Sequence, residues 1–505
     1  MSGPLRLVED EGGSERTMQL RTLPLKRRRP TPSAQPEPEE QLDLSADPLD
    51  ELAERLHDIC ADAVHPYEIA AFLESDGLSD EQAALLYGRP DSFTLAEELF
   101  EKVERRYPGP SSEFANPWRA DPWRCVVRGL VFALPGLGYL LGANLFAATR
   151  MRFGLPSGML ALSVATLVSW GFNQALAHRS YRWLGRLRRR EAAICLALGA
   201  PLGALVASAA AYVVGGPLGA LFFAAGQSLY LGAATVLLVL GREKFLLLAL
   251  VPASVGAGVV LAADVPQVVR TVVLLVSLVL AVGLAARELL FCIRGGEKES
   301  VELKLPIRQE VPHLLFGLAC GTLTLIAGLG ETIHQAVQTG AAHGAKATPT
   351  GPAMIALTLS LGLAEWLLFR YRAMAVAALR TSHTSGQFTR RTGGILLGCL
   401  FIYLTTVAAL DAATTVLWPG APALGVPQLG AMLLLGGSLW LALLLNAFGF
   451  SWSTALICLA AAGAESAGLL TGADPIVLQL IGCGAAALLL TAIAGPALGR
   501  TTQHR

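Results

Sequence analysis

The residues of this chain that could do chemistry are few, and most are carboxylates and arginines set in apolar sequence. Glu331, Glu365, Asp411 and Glu465 stand within or at the edge of long hydrophobic runs. A charge in lipid is costly unless it meets a partner or a cavity, so each is a candidate ion-coupling group that would bind a proton or cation during a conformational cycle. The plainer reading places them at headgroup level, or neutral and hydrogen-bonded between helices. Counting at about 1.5 Å per residue puts Glu365 near the middle of its run and the others toward one end. Glu331 and His334 are three apart and share a helix face, but no second pair of that kind completes a metal site. Arg128, Arg179, Arg182, Arg370 and Arg372 lie near the ends of runs, where they could form a basic vestibule for a phosphate, which arginine matches bidentately. Topology and headgroup snorkelling account for the same arginines. Asn144, Asn173, Gln174, Gln227 and Asn446 could bind sugar hydroxyls, although amides also bond between helices. These ten arginines and amides are the candidate substrate-binding residues. The sequence contains no glycine-rich phosphate loop, nucleophile elbow or metal-ligand cluster, so neither catalytic residues nor a metal or other cofactor are expected.

The elements that would position these groups are membrane helices. The 505 residues are 53% hydrophobic and 15% charged, with a mean hydropathy of +0.51, more apolar than soluble cores can absorb. A spanning helix needs roughly 20 apolar residues, and about twelve such runs follow one another from residue 125 to 498. The stretch SWGFNQALAHRSYRWLGRLRRRE, Ser169 to Glu191, ends the second run in a cluster of arginines. The positive-inside rule places that loop in the cytoplasm. GREK, IRGGEKESVELKLPIRQE and RYRAMAVAALRTSHTSGQFTRR, after the fourth, sixth and eighth runs, agree with it, and Arg150 and Arg152 dissent. An even number of spans then leaves both termini cytoplasmic. The eight cysteines show no CxxC spacing and read as small apolar packers.

The expected organisation is all-α: a disordered tail over 1–49, a cytoplasmic helical module over 50–110 and a linker over 111–124, then a first bundle over 125–293. A cytoplasmic loop over 294–310, a second bundle over 311–499 and a short tail over 500–505 complete it. No hydrophobic signal segment precedes the first run. Lys26, Arg27, Arg28 and Arg29 could touch anionic lipid. In the module, ELAERLHDICADA, HPYEIAAFLESDG, SDEQAALLYG and DSFTLAEELFEKVERRYPG read as about four amphipathic helices, with Ser79 and Gln82 spaced for a capping box. His57, Cys60 and His65 have helical spacing but no further ligand, and docking of a cytoplasmic protein is the better reading of the module.

The two bundles resemble each other. LVPASVGAGVVLAADVPQVV aligns with LAAAGAESAGLLTGADPIVL, so that Gly258 and Asp264 match Gly468 and Asp474. Segments beginning at Gly219 and Met159 align with others beginning at Gly430 and Met354. An offset of six spans preserves direction, which predicts parallel repeats about an axis along the membrane normal.

With that repeat and the second-span ending SWGFNQALAHRSYRWLGRLRRREAA, the chain resembles the multidrug/oligosaccharidyl-lipid/polysaccharide flippase superfamily, polysaccharide exporters in particular. The resemblance covers roughly residues 125–500 and implies alternating access and a lipid-linked saccharide or polysaccharide precursor as substrate. The module at the N-terminus departs from the family's pattern. Major facilitator transporters share the twelve spans and the basic loop, but RSYRWLGRLRRR lacks the aspartate of their signature. The expectation is therefore a transporter and not an enzyme, in the cell membrane, with membrane lipid as its environment and no nucleic acid partner. A major-facilitator-like small-molecule transporter and a non-transporting scaffold of envelope growth are the alternatives. A membrane glycosyltransferase would need a large external loop, which the sequence does not provide.

Overall fold

The computed structural model describes residues 47–104, 106, 122–146, 151–152, 155–295, 307–339, 351–417 and 425–500. The N-terminal tail, Lys26 to Arg29, Arg150, most of the linker and of the loop between the bundles, and the last five residues lie outside them. The chain divides into two compact units, one of short helices and one of long apolar ones.

The first unit contains α1 (Pro48–Arg55), α2 (His57–Asp62), α3 (Pro66–Ser75), α4 (Asp80–Tyr87) and α5 (Ser92–Lys102). ELAERLHDICADA, expected as one helix, is divided at Leu56, where the backbone leaves helical geometry. Ser79 and Gln82 form the capping box of α4, and Gly88 ends that helix in the left-handed region at φ 68°. His65 caps α3 by accepting the Tyr67 N–H at Nδ1, and Cys60 is wholly buried with Ile69, Leu95 and Leu99. Burial pushes the Cys60 thiol above its ordinary range.

Among its described residues the second unit holds twelve helices long and apolar enough to cross a bilayer, and the protein is a multi-pass membrane protein. The first span is composite: α6 (Pro122–Ala133), a 3-10 turn at Leu134–Leu137 and α7 (Gly138–Phe146). In the sequence it is one apolar run. Pro135 has no N–H to continue the ladder, and the tighter turn absorbs the interruption. Two residue pairs, Met151–Arg152 and Leu155–Pro156, make a short antiparallel ladder before the second span. Then follow α8 (Ser157–Leu184), α9 (Arg189–Val214), α10 (Leu218–Val239), α11 (Glu243–Ala262) and α12 (Gln267–Gly295). The second half comprises α13 (Val311–Thr339), α14 (Gly351–Thr381), α15 (Ser385–Leu417), α16 (Val426–Ala447), α17 (Ser451–Leu470) and α18 (Pro475–Leu498).

The packing repeats with the six-span offset. Within the first half the first span lies on α11, α8 on α9, α9 on α10, and α12 on both α10 and α11. Their counterparts in the second half are α13 on α17, α14 on α15, α15 on α16, and α18 on both α16 and α17. Exchanging the halves converts the α8–α13 contact into the α14–α6 contact, and these are the two principal seams between them. The bundle is thus two parallel six-helix repeats about a pseudo-twofold axis. Asp264 and Asp474, matched in sequence, both sit in the short link before the last helix of their half, and Asp474 caps α18 by accepting the N–H groups of Ile476 and Val477. The matched glycines differ: a side chain at Gly258 would meet open space, whereas Gly468 lies against Leu478.

The buried apolar residues group within the halves. The largest cluster, around Tyr371, Tyr403, Trp440 and Leu445, draws only on the second half. Clusters around Leu196 and Leu237, around Ala161, and around Leu141 draw only on the first. Among the described residues no apolar cluster is shared.

Candidate functional site

At one end of the bundle, the end that carries the arginine-rich turn between α8 and α9, both seams hold charge. In the α6–α14 seam, Arg128 lies in the second turn of α6 and Glu365 in α14. Arg128 pairs with Glu365 of the other half through Nη1, and with Glu243 of its own half at 2.6 Å through Nη2 and 2.9 Å through Nε. Arg124, one turn earlier, reaches the same Glu243 oxygen at 3.2 Å. The Glu243 side chain is only 8% exposed, and the guanidinium groups offset the hydration it loses. Glu243 opens α11, where a carboxylate also suits the positive end of the helix dipole.

In the α8–α13 seam, Glu310 takes the central place. Its Oε1 accepts from Arg182 at 2.8 Å and its Oε2 lies 2.5 Å from His178 Nδ1. The His178 ring stacks on His313, with centroids 3.6 Å apart and planes 19° from parallel. Glu310 and His313 lie at the start of α13, and His178 and Arg182 occupy successive turns at the end of α8, so the cluster crosses between the halves.

Each seam also contains a glycine crossing. A Cβ on Gly362 would stand 2.9 Å from Gly129 Cα and would run into the Cys125 carbonyl. A Cβ on Gly317 would stand 2.9 Å from Gly171 Cα and 3.1 Å from the Trp170 carbonyl. Small residues let the backbones touch, as helices without a hydrophobic drive to associate require. The α14 seam engages α6, whereas α7, beyond the 3-10 turn, packs on α8, α10, α11 and α12 of its own half.

The residues singled out in the sequence are distributed among different surroundings. Glu365, near the middle of its helix by residue count, is level with the second turn of α6 and the first residue of α11, because α14 is longer than either. The five arginines do not gather in one vestibule. Arg128 and Arg182 are neutralised in separate seams, and Arg179 lies beside Cys195. Arg372 donates to the Ala447 carbonyl and covers the Phe448 ring at 4.7 Å, while Arg370 covers Trp366 at 5.2 Å. Asn144 donates to Gln267 at 3.0 Å and Gln227 to Thr166 at 2.7 Å, both bonds between helices of the first half. Gln174 packs against Gly317 in the α8–α13 seam. Asn173 and Asn446 each bury an Oδ1 with no hydrogen-bond partner among the described residues.

The four ion-coupling candidates also go to different places. Glu331 accepts from Gln335 at 2.9 Å, Asp411 is 3% exposed on α15, and Glu365 belongs to the seam. Glu465 is 1% exposed, accepts from the Cys483 thiol at 3.3 Å and leaves its second oxygen without a partner among the described residues. Among the described residues no group of three potential ligands is placed to hold a metal ion. Sequence reasoning missed Glu243, Glu310, His178 and His313. The available signal was a carboxylate or imidazole at a helix end next to a basic loop, in GREK, IRQEVPH and ALAHRSYR.

Fold and site together define a polytopic helical membrane protein whose two pseudo-symmetric halves meet through glycine crossings and neutralised ion pairs. No protein family and no curated protein sequence matches the chain. Among solved structures it is similar to one described as a crystal structure of MATE in complex with Br-NRF. That similarity has a TM-score of 0.38 at 14% sequence identity, and covers 75% of this chain and 98% of the other.

Proposed function

We propose that this protein is an alternating-access transporter of the cell membrane that moves a lipid-linked saccharide or polysaccharide precursor. The observation that carries the reading is the separation of the apolar cores. Each half is a complete packed body, and what holds the two together at the arginine-rich end is backbone contact and ion pairs that can re-form with water or substrate. Bodies joined in that way can rock without unpacking, as alternation of access across parallel repeats requires. By the positive-inside rule the arginine-rich end faces the cytoplasm, along with both termini. The structure then corresponds to the state clamped on the cytoplasmic side, with Arg128–Glu365 and Arg182–Glu310 as the clamps. Release of either frees cationic groups toward the cytoplasm, where the diphosphate of a lipid-linked saccharide is an anion of suitable charge.

The test is a reversible lock. In a strain lacking the protein, the variant Arg182→Cys/Glu310→Cys is compared with wild type for lipid-linked saccharide pools and surface polymer, before and after a bifunctional methanethiosulfonate that joins the two thiols through disulfides. Loss of the protein should accumulate precursor and deplete polymer. Cross-linking should reproduce that loss, and reductant should reverse it. Normal pools and polymer in the deletion strain would remove the saccharide reading and favour a small-molecule substrate or a scaffold. Full function of the cross-linked protein would remove the rocking of the halves.

A further inference from the structure

The α8–α13 seam holds more basic groups than its one carboxylate needs. Arg182 already serves Glu310 at 2.8 Å, so with both imidazoles neutral the cluster carries no net charge. His178 nevertheless stands 2.5 Å from the second oxygen of Glu310, and His313 lies flat on His178 with ring centroids 3.6 Å apart. Neutrality does not require either ring. Nor does the close crossing, which Gly171 and Gly317 form further along the same two helices. What an imidazole adds is a charge that changes within the physiological pH range.

The first proton has a place. An imidazolium at His178 donates to Glu310 in a charge-assisted bond. The second has none, because on His313 it sets two cations face to face and leaves Glu310 shared among three positive groups. Like charges at that separation repel strongly where water is scarce. The surroundings add no second carboxylate. Of the helices packed on α8, α10 contains no Asp, Glu, His, Lys or Arg. On α9, Glu191 is taken by Arg188 at 2.7 Å, and Cys195 lies beside Arg179. Of the helices packed on α13, α16 and α18 contain none of those five residue types, α17 has only Glu465, near its far end, and α14 commits Glu365 to Arg128. The His178 side chain is 25% exposed, so a proton from solvent can reach the pair.

We infer that the stacked His178–His313 pair is a proton-binding site that latches the two halves. The α8–α13 seam stays closed with at most one proton on the pair, and a second proton drives the rings apart, and α8 and α13 with them. Acid therefore opens the arginine-rich end and alkali closes it. The inference concerns the contact between the halves and not the cargo. It is measured without transport, so failure of the saccharide reading leaves it standing.

The experiment is pulsed electron–electron double resonance on the full chain in detergent. Spin labels are placed at Arg186→Cys and Arg390→Cys, exposed positions at that end of either half, and Cys292, the one cysteine that is not fully buried, is replaced by serine. As the pH falls from about 8 to about 5, across the range in which imidazole takes up its proton, a longer distance should grow at the expense of the shorter one. The ratio of open to closed should rise by up to about ten-fold per pH unit, the slope of one proton. His313→Phe keeps a ring stacked on His178 but cannot take the proton, and should hold the short distance throughout. His178→Phe, which leaves His313 no charged neighbour to repel it across the stack, should do the same. A distance that does not respond to pH in the protein with both histidines would overturn the site. So would acid opening that persists in His313→Phe, which would assign the proton to Glu310.

Discussion

The two seams occupy equivalent positions and use different chemistry. In the α6–α14 seam one guanidinium, Arg128, bridges carboxylates from both halves, while in the α8–α13 seam one carboxylate, Glu310, bridges an arginine and an imidazole. The roles of cation and anion are exchanged. What the seams share is a close glycine crossing, charge neutrality and location at one end of the bundle. Close packing and paired charge are therefore reached at the two seams with different residues.

Removing the bridging group tests the comparison most severely. Arg128→Gln leaves the buried Glu243 and the half-buried Glu365 together with only Arg124 nearby, and should cost about 3 kcal/mol, read as a fall in the midpoint of thermal unfolding in detergent. Arg182→Gln should cost less, about 2 kcal/mol, because His178 still faces Glu310. Equal losses would show that the imidazole contributes nothing to the second seam. Next come the crossings. Gly362→Ala and Gly317→Ala force backbones apart and should each cost about 1–3 kcal/mol, whereas Gly258→Ala, with open space around it, should be neutral or slightly stabilising by the same measurement. His178→Gln keeps a donor for Glu310 but loses the stack on His313, for a loss of about 1 kcal/mol. The smallest effect on the seams belongs to Asp474→Ala. It removes the cap of α18 at about 1 kcal/mol yet should leave the rate of cross-linking between Arg182→Cys and Glu310→Cys unchanged, since that cap acts within one half.

The apolar runs and the capping box at Ser79 were legible because each is local, set by span length and short spacing, and the parallel repeat because similar segments recur in the same order in both halves. Arg128 and Glu365 were both conspicuous as charges in apolar sequence, but 237 positions separate them. Only the crossing of α6 and α14 makes them partners. Depth was misjudged for the same reason, because residue counting places Glu365 relative to its own helix and α14 overruns its neighbours. Glu243 and Glu310 were obscured by their surroundings, since a carboxylate in a basic loop reads as part of a topology signal until its burial is known. The break at Pro135 was present in the sequence, yet prolines within α9 and α11 are accommodated without one, so residue type alone did not locate it.

The confinement of each apolar core to one half also bears on synthesis. The first six spans hold every residue of their own clusters, so that half can reach its packed form in the membrane while the second is still being translated. Its finished seam surfaces then serve as a template on which α13 and α14 dock in register, glycine against glycine and charge against charge. A chain divided between residues 295 and 307 and expressed as two fragments should accordingly reassemble, with the ion pairs choosing the correct partner face.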